Sequence, residues 1–255
     1  MISNSTKRFS NRVEQYVKYR PSYPKEIISF LEKNAGLNSS FTIADIGSGT
    51  GISTKLFLDN GNKIFAVEPN NEMRKKAEEL LHQYTLFVSI SATAEQTTLP
   101  DASIDMIIAG QAFHWFDAAK TKTEFRRISK PDTHCVLIWN ERLVASGFEK
   151  AYEQLLFDYA TDYKEVDHRN VSEQKIAEFF EPNDFMLKIF PNKQIFDFEG
   201  VKGRLLSSSY VPDETQPNFS SMINVLQKLF YEYSVNGTVQ FNYETKVYIG
   251  KMTIT

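Results

Sequence analysis

The chain has 255 residues, 42% of them hydrophobic, and a net charge of −3. That length supports a substantial core in one domain with an elaboration, and the charge gives no global attraction to nucleic acid or anionic lipid. The longest apolar runs, such as 106–109, are far too short to span a bilayer; residues 1–16 lack the apolar stretch of a secretory signal; and a lone cysteine, Cys135, excludes an internal disulfide, so a reduced cytoplasmic protein is expected.

Taken in chain order, residues 14–31 hold two helical stretches around Tyr19-Arg20-Pro21-Ser22-Tyr23-Pro24, where two prolines force extended backbone. Strand one is expected over 41–46, a helix over 51–60 and strand two over 63–67. A charged helix over 70–82, strand three over 85–90, a polar loop through Pro100 and strand four over 104–109 follow. A helix over 117–129 carries the densest basic stretch, 120–130, whose apolar Phe125 and Ile128 leave the charges on a solvated face. Strand five covers 134–139. Short apolar runs alternating with helices imply a parallel sheet covered on both faces, an α/β architecture.

Past Asn140 the pattern changes to helices over 148–163, 171–180 and within 216–235, with a strand or hairpin over 185–198. Two final strand-like runs, 239–243 and 246–252, flank an expected turn at Tyr243-Glu244-Thr245 and should finish the sheet as an antiparallel edge. Residues 1–40 form an N-terminal helical segment, and 141–182 with 200–220 are the candidates for a cap.

The chemistry concentrates at the carboxyl ends of the strands, where open α/β sheets bind ligands. Strand one ends in Asp45-Ile46-Gly47-Ser48-Gly49-Thr50-Gly51, and strand two ends in Glu68, followed by Pro69. Glycines admit close approach of a ligand to the backbone, and an acid at the tip of strand two can accept two ribose hydroxyl protons. A dinucleotide turn reads G-x-G-x-x-G so that a pyrophosphate sits on a helix N-terminus. Asp45 ahead of these glycines would repel a pyrophosphate and suits a ligand bearing an ammonium and a sulfonium. Past strand three come Thr93, Ala94 and Glu95, and past strand four come Gln111, His114 and Trp115. There is no C-x-x-C pair, HExxH, G-x-x-x-x-G-K-[ST] or G-x-S-x-G, so zinc, triphosphate hydrolysis and serine hydrolase chemistry are disfavoured and no metal is expected.

The glycine turn with Glu68, the Leu99-Pro100 and Asp105 positions, and 126–131 resemble class I S-adenosylmethionine-dependent methyltransferases. Tyr19–Pro24, 111–116 and 207–210 are similar to a small-molecule subgroup that includes the trans-aconitate methyltransferase-like enzymes. The resemblance implies a Rossmann-like, mostly parallel seven-stranded sheet with an antiparallel edge strand and a helical cap. It implies S-adenosyl-L-methionine as cofactor, held by Tyr19, Arg20, Asp45, Gly47, Ser48, Gly49, Gly51, Glu68, Pro69, Thr93, Ala94, Glu95 and Gln111. Thr93 stands where the family usually has an acid for the adenine amino group, and Asp132 and Thr133 replace its usual glycines. His114 is either a general base or an aromatic-cluster wall residue, since methylating a carboxylate needs no base. Trp115, Arg142, Tyr163 and Tyr210 are candidates for an acceptor pocket, or else cap surface. The acceptor is expected to be a small molecule, a carboxylate before a hydroxyl or an amine. A non-catalytic cofactor-binding module and an NAD(P)-linked oxidoreductase are the rival readings.

Overall fold

The computed structural model describes residues 13–161, 163 and 172–252; the expectations for 1–12, 164–171 and 253–255 lie outside the described residues. Seven strands, β1 (Thr42–Ile46), β2 (Lys63–Val67), β3 (Phe87–Ile90), β4 (Ile104–Gly110), β5 (Ser129–Arg142), β6 (Phe185–Phe196) and β7 (Val239–Lys251), form one sheet in the order β3-β2-β1-β4-β5-β7-β6. β1 to β5 are parallel. β7 runs antiparallel between β5 and β6, so the edge strand β6 pairs antiparallel with its neighbour.

Helices α2 (Glu26–Ala35) and α3 (Ile52–Asp59) bury Ile27, Leu31, Phe57 and Leu58 against Ile43, Ile64, Met106 and Val136 on one sheet face. On the opposite face, α5 (Ala118–Ile128) and α7 (Glu173–Phe180) bury Phe125, Ile128, Ile176 and Phe179 against Ile107, Cys135 and Leu137. β4 is thus covered on both sides, and Met106–Ala109 reads as continuous apolar sequence because neither face meets water. α7 belongs to this layer rather than to the cap proposed over 141–182: Lys122 donates to the Glu178 carbonyl at 2.8 Å, tying it to α5.

The expected turn at 243–245 is absent. β7 is one continuous strand, with Tyr243 opposite Arg142, Glu244 opposite Glu141 and Thr245 opposite Asn140. Thr245 is fully buried and donates to Asn140 Oδ1 at 2.5 Å, which gives a polar residue a place inside a strand. With that support β5 runs on past Gly110, its parallel partner strand's last residue, to Arg142. α6 (Gly147–Tyr159), α8 (Phe198–Leu206) and α9 (Phe219–Tyr233) cover the overhang, burying Tyr152, Leu155, Val201, Leu205, Met222 and Leu226 around Phe241 and Tyr243. Over this layer lies α1 (Val13–Tyr19), whose Tyr19 ring fills the notch at Gly203. Among the described residues no helix is long and apolar enough to cross a membrane.

Candidate active site

After β1 the chain turns to β2 and β3 on one side and later returns to β4 on the other, which makes the β1/β4 boundary the point where a crevice opens. The glycine turn is fixed there by Gly47 and Ser48 N–H groups donating to the Val67 carbonyl at 2.8 and 3.2 Å. Gly47 has φ +69°, and a Cβ on it would sit 2.6 Å from Ala112 Cβ. Gly49 has φ +57° with no protein atom within 4 Å of where its Cβ would point, so its backbone faces open space. Its N–H donates to Glu68 Oε2 at 2.9 Å, while Glu68 Oε1 accepts from Asn70 N–H at 2.7 Å. Asn70 is also the N-cap of α4 (Asn71–Leu81), accepting from Met73 N–H at 3.0 Å. The helix start therefore aims the carboxylate. Burial pushes the Glu68 carboxyl up, opposed by those two N–H donors.

A cavity of about 570 Å³, a size suited to a small ligand, runs from this turn toward the cap. Gly47, Ser48, Gly49, Glu68 and Pro69 line one end, with Thr93, Ala94 and Glu95 beside them. Glu95 Oε1 accepts from Asp117 N–H at 3.0 Å, the residue that caps α5. Gln111, His114 and Trp115 form the wall past β4. Gln111 holds φ +57°, uncommon outside glycine and a mark of local strain. Its N–H is satisfied by the Ile138 carbonyl at 2.8 Å, but its buried Oε1 has no partner among the described residues. The His114 ring lies 4.8 Å from that of Trp115 in the turn Phe113–Trp115. Arg20 comes from the N-terminal side, and Arg142, Tyr163 and Tyr210 from the cap side.

Three proposed residues do not reach the cavity wall. Tyr19 turns outward, its ring against Gly203 and 6.2 Å from that of Phe196. Gly51 is the N-cap of α3, and its missing Cβ makes room for Leu81, 2.6 Å away. Asp45 lies fully buried beneath the turn, where Oδ2 accepts from Ser53 Oγ at 2.7 Å and Thr54 Oγ1 at 2.6 Å. Its Oδ1 has no partner among the described residues, and burial lifts its pKa to about 6 against those two donors.

Among the wall residues that went unread in the sequence are Tyr16, Tyr23, Asn140 and Arg204. Tyr23 is nine-tenths buried, and its hydroxyl fills the space in which a Cβ on Gly110 would lie, 2.6 Å away. Asn140 donates to the Pro21 and Ser22 carbonyls, both at 3.3 Å, and so docks the N-terminal segment onto β5. The two prolines of this segment announced extended backbone but not which tyrosine it delivers. Arg204 gave no signal in its helix, because its burial comes from packing against other elements.

Electrostatically the cavity is two-ended. Asp45 and Glu68 sit at the turn, while Arg20, Arg142 and Arg204 gather at the other end. Arg142 is paired with the buried Glu153, which also accepts from Tyr163 Oη at 2.9 Å. Burial and the neighbouring Arg204 lower the Arg20 pKa, and its buried Nε has no partner among the described residues. Such an arrangement suits a ligand with hydroxyls and a cation toward the turn and an anion toward the arginines.

Residues 44–137 match the family model of a methyltransferase domain. An uncharacterised methyltransferase of Mycobacterium tuberculosis is 35% identical over 148 residues, and the chain spans 58% of that relative's length, with 58% of this chain covered. An uncharacterised methyltransferase-like protein of Schizosaccharomyces pombe is 23% identical over 249 residues, 95% of this chain and 94% of that one. Among solved structures, one described as a candidate type II methyltransferase from Anaeromyxobacter dehalogenans aligns with a TM-score of 0.69 at 19% identity, over 93% of this chain and all of the other. Residues 44–137 are thus similar to a methyltransferase domain, and the described chain carries a Rossmann-like fold shared with solved methyltransferase structures.

Proposed function

We propose that the chain transfers a methyl group from S-adenosylmethionine to a small organic acid. The observation that carries this reading is the pairing of Gly49 and Glu68: open left-handed backbone next to a carboxylate held by two N–H groups. Each Glu68 oxygen keeps acceptor capacity toward the cavity, which fits two ribose hydroxyls. The residues fit the rest of the cofactor as well. Asp45 Oδ1 and Arg20 Nε are buried polar atoms without partners among the described residues, of the right signs for an ammonium and a carboxylate.

Bound S-adenosylmethionine supplies an activated methyl on a sulfonium, so the chain's work is placement and exclusion of water. Gly47, Ser48, Gly49, Glu68 and Pro69 would hold the nucleoside, with Thr93, Ala94 and Glu95 along the base. Arg20 and Gln111 would orient the amino-acid end, with Asp45 beneath the turn attracting its ammonium through charge. His114 and Trp115 would shape the acceptor side, and His114 would take a proton only if the acceptor is a hydroxyl or an amine. Tyr163, Tyr210 and Arg142 bring the cap to the same chamber. Calorimetry with S-adenosylhomocysteine, followed by its detection as product from a panel of small acids, tests the proposal. Tight cofactor binding without turnover on any acceptor would favour a binding module, and preference for a nicotinamide nucleotide would overturn the reading.

A further inference from the structure

The cap end of the cavity carries more positive charge than its own residues neutralise. Three guanidiniums line it, and Glu153 offsets one, that of Arg142. Neither Arg20 nor Arg204 has a carboxylate partner among the described residues: Arg20 donates to the Ser207 carbonyl at 3.1 Å and lies over the Tyr16 ring. Arg204 is 6% exposed, and its two hydrogen bonds, to Tyr243 Oη and Ser208 Oγ, are both 3.4 Å, at the long limit of useful geometry. Around it, Arg142 NH1 and Tyr152 Oη are buried donors with no partner among the described residues. One buried and one half-buried cation without carboxylate partners among the described residues, beside unpartnered donors, mark a place where an anion belongs.

The cofactor brings one α-carboxylate, which satisfies one guanidinium. Arg20 suits that role because it shares the N-terminal wall with Tyr23, which lies close enough to Asp45 for their charges to couple. One cation then remains, on α8 under the cap. A single leftover charge matches a carboxylate better than a phosphate monoester, which carries nearly two. A guanidinium fork also matches the two carboxylate oxygens. We propose that Arg204 and the unpartnered edge of Arg142, backed by the buried Tyr152 hydroxyl, anchor a carboxylate of the methyl acceptor and set specificity for acidic small molecules. This assignment rests on the reading of the cavity as a methyltransferase site.

The test uses the full chain saturated with S-adenosylhomocysteine and a panel of short aliphatic and aromatic mono- and dicarboxylates. Each acid is compared with its uncharged amide and a phosphate monoester of similar size. At least one acid binds calorimetrically, about 100-fold tighter than its amide. On the best acid that also turns over, Arg204→Gln raises KM about 100-fold with kcat changed little, and the acid-to-amide preference collapses. Arg204→Lys, keeping charge without the fork, falls between, and solvent-facing Lys202→Ala behaves as wild type. If Arg204→Gln does not fold, Arg204→Lys and Tyr152→Phe carry the same comparison. The proposal is overturned if the wild type binds S-adenosylhomocysteine but no acid, if amides or phosphate esters bind as well as acids, or if the Arg204 variants keep the acid preference. Loss of S-adenosylhomocysteine binding by the wild type would instead sink the methyltransferase reading.

Discussion

Replacing Asp45 by asparagine should stabilise the ligand-free protein at neutral pH and weaken its grip on a cationic ligand. Asp45 is fully buried, with Ser53 and Thr54 hydroxyls on one oxygen and no partner among the described residues on the other. Burial is the dominant cause that lifts its pKa from an ordinary value near 4 to about 6, with Glu68 adding to it and the hydroxyls opposing. A raised acid pKa means that the folded state binds the proton more tightly than the unfolded chain. Its stabilising contribution is therefore complete below about pH 4 and lost as pH rises through about 6. A rise of about two pH units corresponds to about 3 kcal/mol. Asparagine keeps the shape and an acceptor for both hydroxyls, and it never ionises. Its amide NH₂ takes the unpartnered position, at a cost of about 1 kcal/mol. The variant should gain about 3 kcal/mol on the wild type between pH 4 and pH 7, ending about 2 kcal/mol ahead. Urea unfolding at a series of pH values reads this difference directly, and calorimetry on the same samples should show S-adenosylhomocysteine affinity reduced at least tenfold. Stability curves that run parallel across this pH range would refute the argument, as would an undiminished affinity.

Glu68→Gln should lower the melting temperature modestly, because its amide NH₂ meets the N–H of Gly49 or Asn70, while weakening S-adenosylhomocysteine binding by roughly 10- to 100-fold, the worth of charge-assisted hydrogen bonds; unaltered affinity in a titration would remove Glu68 from the nucleoside site. Gly49→Ala forces a Cβ into left-handed backbone at a cost of about 1–2 kcal/mol, and it meets no protein atom. A folded protein with ligand affinity down more than tenfold is expected, and a variant that binds normally would show that the ligand lies elsewhere. Glu124 accepts from Thr97 N–H at 2.8 Å and from Arg127 at 2.7 Å; the Arg127 bond leads the causes that lower its pKa to about 2. A lowered acid pKa contributes stability above the unfolded value and loses it as pH falls. Glu124→Gln should therefore unfold at lower urea at pH 7, with the gap closing as pH drops from about 4.5 toward 2.

The first five strands and the glycine turn were legible because their causes are local. A parallel strand buried on both faces must be apolar along its length, and left-handed backbone facing a ligand needs glycine. What failed depended on distant partners. Glu244 and Thr245 look like a turn until Asn140 is found opposite Thr245, which lets a hydroxyl lie inside a strand. Tyr19 and Tyr23 share one segment, but prolines 21 and 24 break its helical phase, so the first faces α8 and the second faces the cavity. The period of α7 was readable, its destination beneath the sheet was not. Arg204 looks like any helix-surface cation in sequence; α1, α9 and β6 packing on α8, with Tyr243 of β7 against the guanidinium, make it interior.

The insertion of β7 between β5 and β6 has a consequence for assembly. Of the strands described, β7 comes last in the chain, yet it carries the pairing that attaches β6 and props up the β5 overhang. Until it arrives, β5 presents a naked ladder on a young chain, and β6 has nowhere to attach. Closure of the sheet must therefore wait for β5 to pair with β7, the strand pairing of widest sequence separation in it, a topology that slows folding and leaves an aggregation-prone edge open meanwhile.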